Sequence, residues 1–205
     1  NTAGINNAES LQDVVPSLTF KRGTTNVNST LSIRGLGTQS FASGAEPSVA
    51  TVVDGVVMGR SGMAFTEFTD ISRIEVLQGP QGTLFGKNAS AGVVNMVTSD
   101  PGTTLKGKAS AAYYENQEYR ASLNYSGPIN DRVGFAVSAI YGDYQGNIKN
   151  VFNGNWTDGY HRAGIRGKFV FNLTDALKLT LAGDYVHAND DCCADIIGTY
   201  VPSAQ

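Results

Sequence analysis

The sequence predicts a mainly β protein in two parts: an N-terminal α+β region, then antiparallel strands of a transmembrane β-barrel. Three observations carry this. After Pro101, five segments alternate apolar and polar side chains. Each runs for about ten residues, the span a tilted strand needs to cross a bilayer. Before Pro101 the apolar runs are shorter and are broken by glycine, proline and Asp-Gly. With 24 glycines in 205 residues and only 16% charged residues, the composition favours strands and turns over helices.

The totals exclude several function classes. The net charge of -3 gives no reason to expect a nucleic-acid partner. No run of about 18 apolar residues exists, so no transmembrane helix is expected, which leaves a barrel open. The chain starts polar, at Asn1-Thr2-Ala3, without a signal peptide, as a mature secreted chain or a fragment of one would. No Ser/His/Asp or Cys/His arrangement carries a nucleophile signature, so no enzyme, catalytic residue or cofactor is expected. His187, Asp190, Asp191, Cys192, Cys193 and Asp195 include metal-ligand types, but their spacing fits a charged loop better than a metal site.

In chain order, Ser10 precedes Leu11, and Val14 and Val15 share a face, which predicts a helix within residues 6–15 that Pro16 ends. Residues 29–37, STLSIRGLG, read as a strand closed by Gly35 and Gly37. Residues 38–47 are small, polar and turn-rich, a surface loop. Asp54-Gly55 between valines predicts a hairpin over residues 49–57. Residues 65–71 form a short connection with room for a helical turn.

The most informative stretch is residues 71–101, ISRIEVLQGPQGTLFGKNASAGVVNMVTSDP. Ile71–Leu77 and the run Val93, Val94, Met96 and Val97 read as two strands. Between them Gly79, Pro80, Gly82, Gly86 and Gly92 let backbone segments approach closely. Asn88 and Asn95 can bond backbone groups that lack a ladder partner. A phosphate-binding loop fails on spacing: its first glycine would fall on Gln81, and Asn88 follows Lys87 where serine or threonine is needed.

Beyond Pro101 the alternation is regular. Leu105, Gly107, Ala109, Ala111 and Tyr113 oppose Lys106, Lys108, Ser110 and Ala112. Tyr119, Ala121, Leu123 and Tyr125 oppose Arg120, Ser122, Asn124 and Ser126. Val133, Phe135, Val137, Ala139 and Tyr141 oppose Gly134, Ala136 and Ser138. Ala163, Ile165, Phe169 and Phe171 oppose Arg162, Arg166 and Lys168. Leu177, Leu179, Leu181 and Tyr185 oppose Lys178, Thr180 and Asp184. One face is apolar with tyrosines near its ends, as a lipid-facing girdle requires. The other is small, polar or charged, too polar for the core of a soluble sandwich. Tight connections at 128–132 and 173–176 contrast with a long polar one at 147–159, matching short periplasmic turns and longer outer loops. Arg162, Arg166 and Lys168 have two uses: attracting an anionic substrate, or, as expected here, pairing with acids of the N-terminal region or a neighbouring strand.

Residues 71–101, with Glu75, Gly79, Pro80, Gly82, Gly86, Asn88, Gly92 and Asn95 as the motif positions, resemble the end of the plug domain of TonB-dependent outer-membrane receptors. The segments SLQDVVPSLTF, the Ile33-Arg34-Gly35 triplet and Val53-Asp54-Gly55-Val56 resemble earlier parts of the same domain. The resemblance implies a plug over residues 1–101, incomplete at its start, inside a barrel that begins within residues 102–205. Such barrels have about twenty-two strands, so this chain is expected to be the front part of a longer receptor. It implies that Arg34 contributes to a charged latch between plug and barrel wall; an exposed strand arginine is the alternative. The family's second latch arginine is replaced by Gln78. Loop 38–47 is implied to face the outer vestibule, with Gln39, Ser40 and Phe41 as ligand contacts or as plain surface residues. No residue is assigned to a TonB box.

The function implied is import of a scarce nutrient, such as a ferric siderophore, across the outer membrane of a Gram-negative bacterium. The partners implied are TonB with its ExbB–ExbD energising complex, outer-membrane lipid and lipopolysaccharide, and a small-molecule substrate such as a metal chelate. A plug–barrel scaffold or signalling receptor without transport is the alternative. Cys192 and Cys193 are disulfide candidates, with each other or with cysteines elsewhere; two free thiols are the remaining possibility. A vicinal bond is strained, because adjacent Cα atoms lie about 3.8 Å apart and disulfides want about 4.4–6.8 Å.

Overall fold

The computed structural model describes residues 11–21, 23, 29–38, 45–60, 70–115 and 117–191. The expected ligand contacts Gln39, Ser40 and Phe41, the cysteines Cys192 and Cys193, and most of the 65–71 connection lie outside them.

The N-terminal region builds two small sheets. A single helical turn, α1 (Leu11–Val14), precedes β1 (Leu18–Lys21), β2 (Thr30–Ile33) and β3 (Leu36–Gly37), which form an antiparallel sheet in the order β1-β2-β3. One expectation is corrected here. Residues 29–37 are not one strand but a hairpin, because Arg34 (φ 53°) and Gly35 (φ 79°) both sit in the left-handed region and turn β2 back onto β3. Positive φ at both central residues is the signature of a type I′ turn, whose twist matches the paired strands.

The second sheet has the order β5-β4-β7-β6, from β4 (Val49–Val53), β5 (Val56–Val57), β6 (Ile71–Gln78) and β7 (Gly92–Thr98). Asp54 (φ 48°) and Gly55 (φ 84°) make the expected hairpin between β4 and β5. The two central strands, β4 and β7, run parallel, Val49 opposite Gly92 through Val53 opposite Met96. Parallel strands at the centre of a sheet are covered on both faces and read as continuous apolar runs, which is why VATVV and GVVNMV do not alternate. On one face Val49, Val53, Val94 and Met96 pack with Leu11 from α1 and with Leu18, Leu31 and Ile33 from the first sheet. On the other, Ala50, Val52 and Val93 pack with Ala89, Leu77 and Phe85. Each fully buried valine or leucine contributes about 1.5–3 kcal/mol, so the first of these faces holds the two sheets as one body.

A five-stranded antiparallel sheet follows, in the order β14-β13-β10-β9-β8. Its strands are β8 (Lys106–Tyr114), β9 (Glu118–Asn130), β10 (Val133–Tyr144), β13 (Tyr160–Thr174) and β14 (Leu177–Asp190). Every pair is sequential apart from β10 and β13, where β11 (Ile148–Lys149) and β12 (Trp156–Thr157) form a small hairpin inside the long connection. The sequence suggested only a polar loop there. Register places each set of alternating residues as expected: Phe135, Phe169 and Leu181 lie side by side on one face, and Ala136, Lys168 and Ala182 on the other. Mostly β, with only short helical turns among the described residues, this is the predicted fold class.

Candidate functional site

The site is the seam between the N-terminal sheets and the inward face of β13 and β14. Its plug-side floor is the glycine-rich stretch. Glu75 stands opposite Asn95 on paired strands. The Asn95 amide donates to Glu75 Oε2 at 2.8 Å, and Arg73 Nε donates to Glu75 Oε1 at 2.8 Å. The Asn95 hydrogen bond, then the Arg73 charge, holds the Glu75 carboxyl below its ordinary pKa.

Beyond β6 the chain doubles back. Gly79 N–H donates to Ala91 O and Gln81 N–H to Ala89 O, on either side of the exposed Pro80. A single turn of helix, α2 (Gly82–Phe85), ends at Gly86 (φ 74°). Asn88 follows with φ 69°, its Oδ1 buried without a hydrogen-bond partner. Gly92 allows a close approach: a Cβ there would lie 2.5 Å from Leu77 O and 2.6 Å from Ile33 Cδ1. Lys87 pairs with Glu46 at 2.6 Å, and the Thr38 hydroxyl donates to Glu46 O while accepting from Ser48 N–H. The base of loop 38–47 is therefore pinned to the motif stretch.

Arg34 lies in the β2–β3 turn, exposed, and makes no ion pair with a described residue. Gln78, at the family's other arginine position, donates from Nε2 to Ser17 Oγ at 2.9 Å. The motif places neither side chain against the described part of the wall.

The ionic contacts that do cross the seam come from the wall cations. Arg166 Nη1 lies 3.4 Å from Asp70 Oδ1. Lys168 Nζ lies 3.2 Å from Asp54 Oδ2 and 3.3 Å from Asp100 Oδ1, and donates to Thr98 O at 3.4 Å. Lys178 Nζ reaches Asp100 Oδ2 at 2.8 Å. The Lys168 side chain is 6% exposed. Asp54 is held in place by Thr98, which donates from N–H and hydroxyl to the two carboxylate oxygens at 2.8 and 2.5 Å.

The acids respond differently to this setting. Burial works against ionisation of Asp54, but the Thr98 hydrogen bonds and the Lys168 charge outweigh it and leave its pKa lowered. Asp100 is lowered first by the Lys178 hydrogen bond, against partial burial, with Lys168 adding to the effect. Asp70 is raised, because its burial outweighs the attraction of Arg166. Pro101 then seats the exit of the chain against β10. A Cβ on Gly134 would lie 2.7 Å from Pro101 Cβ, so only glycine leaves room.

A second inward cluster lies at the far end of the same strands. The Tyr160 hydroxyl donates to Glu118 Oε1 at 2.6 Å and accepts from Arg120 Nε at 3.1 Å. Arg162 sits 4.3 Å over the Tyr160 ring and donates to Asp190 at 2.7 Å. Arg162, Arg166 and Lys168 therefore all meet acids, of a neighbouring strand or of the plug-side sheets, as the sequence suggested. The opposite face carries exposed Tyr113, Leu123, Tyr125, Ile165, Phe169, Leu181 and Tyr185, with Tyr113 and Tyr119 rings 5.0 Å apart.

The identity of the acids was not read from the sequence. Asp70 and Asp100 stand beside strand ends and Asp54 in a turn; each is unremarkable alone, and only the docked wall makes them a set.

Residues 1–93 match the model of the TonB-dependent receptor plug domain. The pesticin receptor of Yersinia enterocolitica is 37% identical over 130 residues, covering 63% of this chain and 19% of the relative. The ferripyoverdine receptor of Pseudomonas aeruginosa is 26% identical over 186 residues, covering 89% of this chain and 21% of the relative. The solved ferric yersiniabactin uptake receptor FyuA of Yersinia pestis superposes with a TM-score of 0.79 at 28% identity, over 91% of this chain and 29% of that one. The chain spans about a fifth of the length of the curated relatives it matches. Residues 1–93 thus resemble the plug domain of TonB-dependent receptors, and over most of its length the chain is similar in fold to a solved receptor of that kind.

Proposed function

We propose that this chain is part of an outer-membrane receptor that imports a small-molecule metal chelate of the ferric siderophore class. The observation that carries the reading is a plug-side body docked by ion pairs on the polar face of strands whose other face is apolar and aromatic. That is the arrangement of a stopper inside a lipid-embedded wall. Relatives named as ferric yersiniabactin and ferripyoverdine receptors support the substrate class. The plug runs to Pro101 and the barrel begins after it. Substrate binds above the plug, on the side of the loop whose base at Thr38 and Glu46 is tied to the motif stretch. TonB, energised by ExbB–ExbD, acts on the plug from the periplasm, and the wall contacts lipid and lipopolysaccharide.

Uptake of radiolabelled ferric chelates by intact cells tests this. Deleting the receptor or TonB should abolish uptake of at least one chelate and growth on it under iron restriction. A receptor present at normal level, with no TonB-dependent uptake or growth phenotype across hydroxamate, catecholate and phenolate chelates, would sink the reading.

A further inference from the structure

Both histidines of the chain, His161 and His187, lie on the outward face of the wall, at the end where the long β10–β13 connection leaves it. Register sets one row across all five strands there: Tyr113, Tyr119, Asp143, His161 and Asn189. Two residues nearer the middle, the next row brings Tyr141 and His187 to the same face. The rows are tied together. His161 Nδ1 lies 2.9 Å from Asp143 Oδ2. A carboxylate only accepts, so Nδ1 carries the proton and Nε2 is left for another partner. The Tyr141 ring meets the His161 ring edge-on at 5.6 Å. The His161 and Asp143 side chains are 47% and 42% exposed, and His187 and Asn189 are exposed beside them.

Among the described wall strands Asp143 is the one acid on the outward face, and by register every lysine and arginine stands on the inner face. A charge facing hydrocarbon is costly, and the cost fades toward the interface. The strand length agrees. Val133 to Asp143 covers about 34 Å at about 3.4 Å per residue, which tilt reduces to about the 25 Å of an apolar band. The other end of the same face closes instead on Val133, Phe171 and Leu179. The two ends therefore meet different headgroups. A headgroup held by its phosphate alone calls for arginine or lysine, and the polar end offers neither. Tyrosine rings, a carboxylate, an amide and imidazoles match a sugar, whose hydroxyls donate and accept and whose C–H faces pack on aromatic rings. We propose that this row is a docking subsite for the saccharide headgroup of an outer-leaflet glycolipid, with Asp143 orienting His161 and the acyl chains running down over Ile165, Phe169 and Leu181. The proposal rests on reading the strands as a lipid-embedded wall with the long connection outside, and not on import.

The test uses the full-length receptor in intact cells, with the photo-crosslinking residue p-benzoylphenylalanine in place of Tyr119 at the polar end or of Phe171 at the other. After irradiation the purified receptor is blotted for lipopolysaccharide. An adduct is expected from position 119 and not from position 171. Adding His161→Phe and His187→Phe keeps the aromatic bulk and removes the ring nitrogens. It should lower the position-119 adduct roughly tenfold, the loss of about two hydrogen bonds. Barrel assembly is followed by heat-modifiable migration, and if the double variant does not assemble, His161→Phe alone is read in the same way. An undiminished adduct in an assembled variant overturns the proposal, since proximity alone would then explain the contact. An adduct with phospholipid only, or from position 171 only, overturns it as well. Thiol labelling of Asn153→Cys reads the orientation independently. Labelling there without a position-119 adduct removes the subsite and leaves the wall reading standing, and uptake plays no part in either result.

Discussion

Gln78 is tied to Ser17 by a 2.9 Å hydrogen bond, and the Ser17 carbonyl in turn accepts the backbone N–H of Arg34 at 2.8 Å. The two positions expected to hold latch arginines thus converge on one serine between α1 and β1. Gln78 is spent inside the plug, stitching the end of β6 to the first sheet. Arg34 remains exposed on its turn.

We expect the Arg34 side chain to meet a carboxylate outside the described residues. Arg34→Ala should then weaken exclusion of large antibiotics without changing barrel assembly. Since the turn itself needs positive φ rather than arginine, Arg34→Asn should preserve the hairpin and show the same leak. Wild-type exclusion in both variants would remove Arg34 from plug retention.

Acid should loosen the seam only at low pH. Asp54 and Asp100 have folded pKa values below their ordinary 3.8. Their contribution is complete above that value and is lost as pH falls through the lowered folded values. Asp70 has the opposite sign: its raised pKa favours the docked state on acidification. Plug protease resistance in purified receptor should not fall through mildly acid buffer, where Asp70 acts in its favour, and should drop below about pH 3.8. Asp54→Asn should flatten that fall. A loss centred near neutrality would contradict these assignments.

Gly92→Ala should destabilise the plug by about 1–3 kcal/mol, because the added methyl meets the Leu77 carbonyl and Ile33 and the core must give way. Gly59, which has nothing within 4 Å of a built Cβ, serves as the control. Urea-dependent protease cleavage of the plug measures both, and equal behaviour of Gly92→Ala and Gly59→Ala would refute the close-packing account.

Loop lengths predict the orientation: the β11–β12 hairpin on the outer surface and the two-residue turn at Asp131-Arg132 in the periplasm. In a Cys192→Ser/Cys193→Ser background, an impermeant thiol reagent on intact cells should label Asn153→Cys and not Asn130→Cys. Labelling of position 130 alone would invert the topology.

The wall was legible because a two-residue period assigns every side chain to a face, and a slip of one residue would have put Phe169 inward and Lys168 into lipid. The Asp54-Gly55 turn was legible from its dipeptide. The Arg34-Gly35 turn was not, since arginine rarely adopts positive φ and gave no signal. The β11–β12 hairpin was hidden because two-residue strands are too short to alternate. The seam was hidden because Lys168 and Asp54 are distant in sequence, and no local pattern tells a paired acid from a solvated one.

The parallel pairing of β4 with β7 carries a kinetic consequence. Apart from β10 and β13, which pair across the β11–β12 hairpin, each wall strand pairs with the strand before it, so the wall can zip up largely hairpin by hairpin, whereas the plug's central ladder must first bring position 49 to position 92. Loop closure of that kind is slow compared with hairpin formation. Lys168 arrives later still in the chain. Among the described elements the plug's central ladder is therefore expected to form more slowly than the wall's hairpins, and the charged seam, whose partners lie on both bodies, can close only once both are in place.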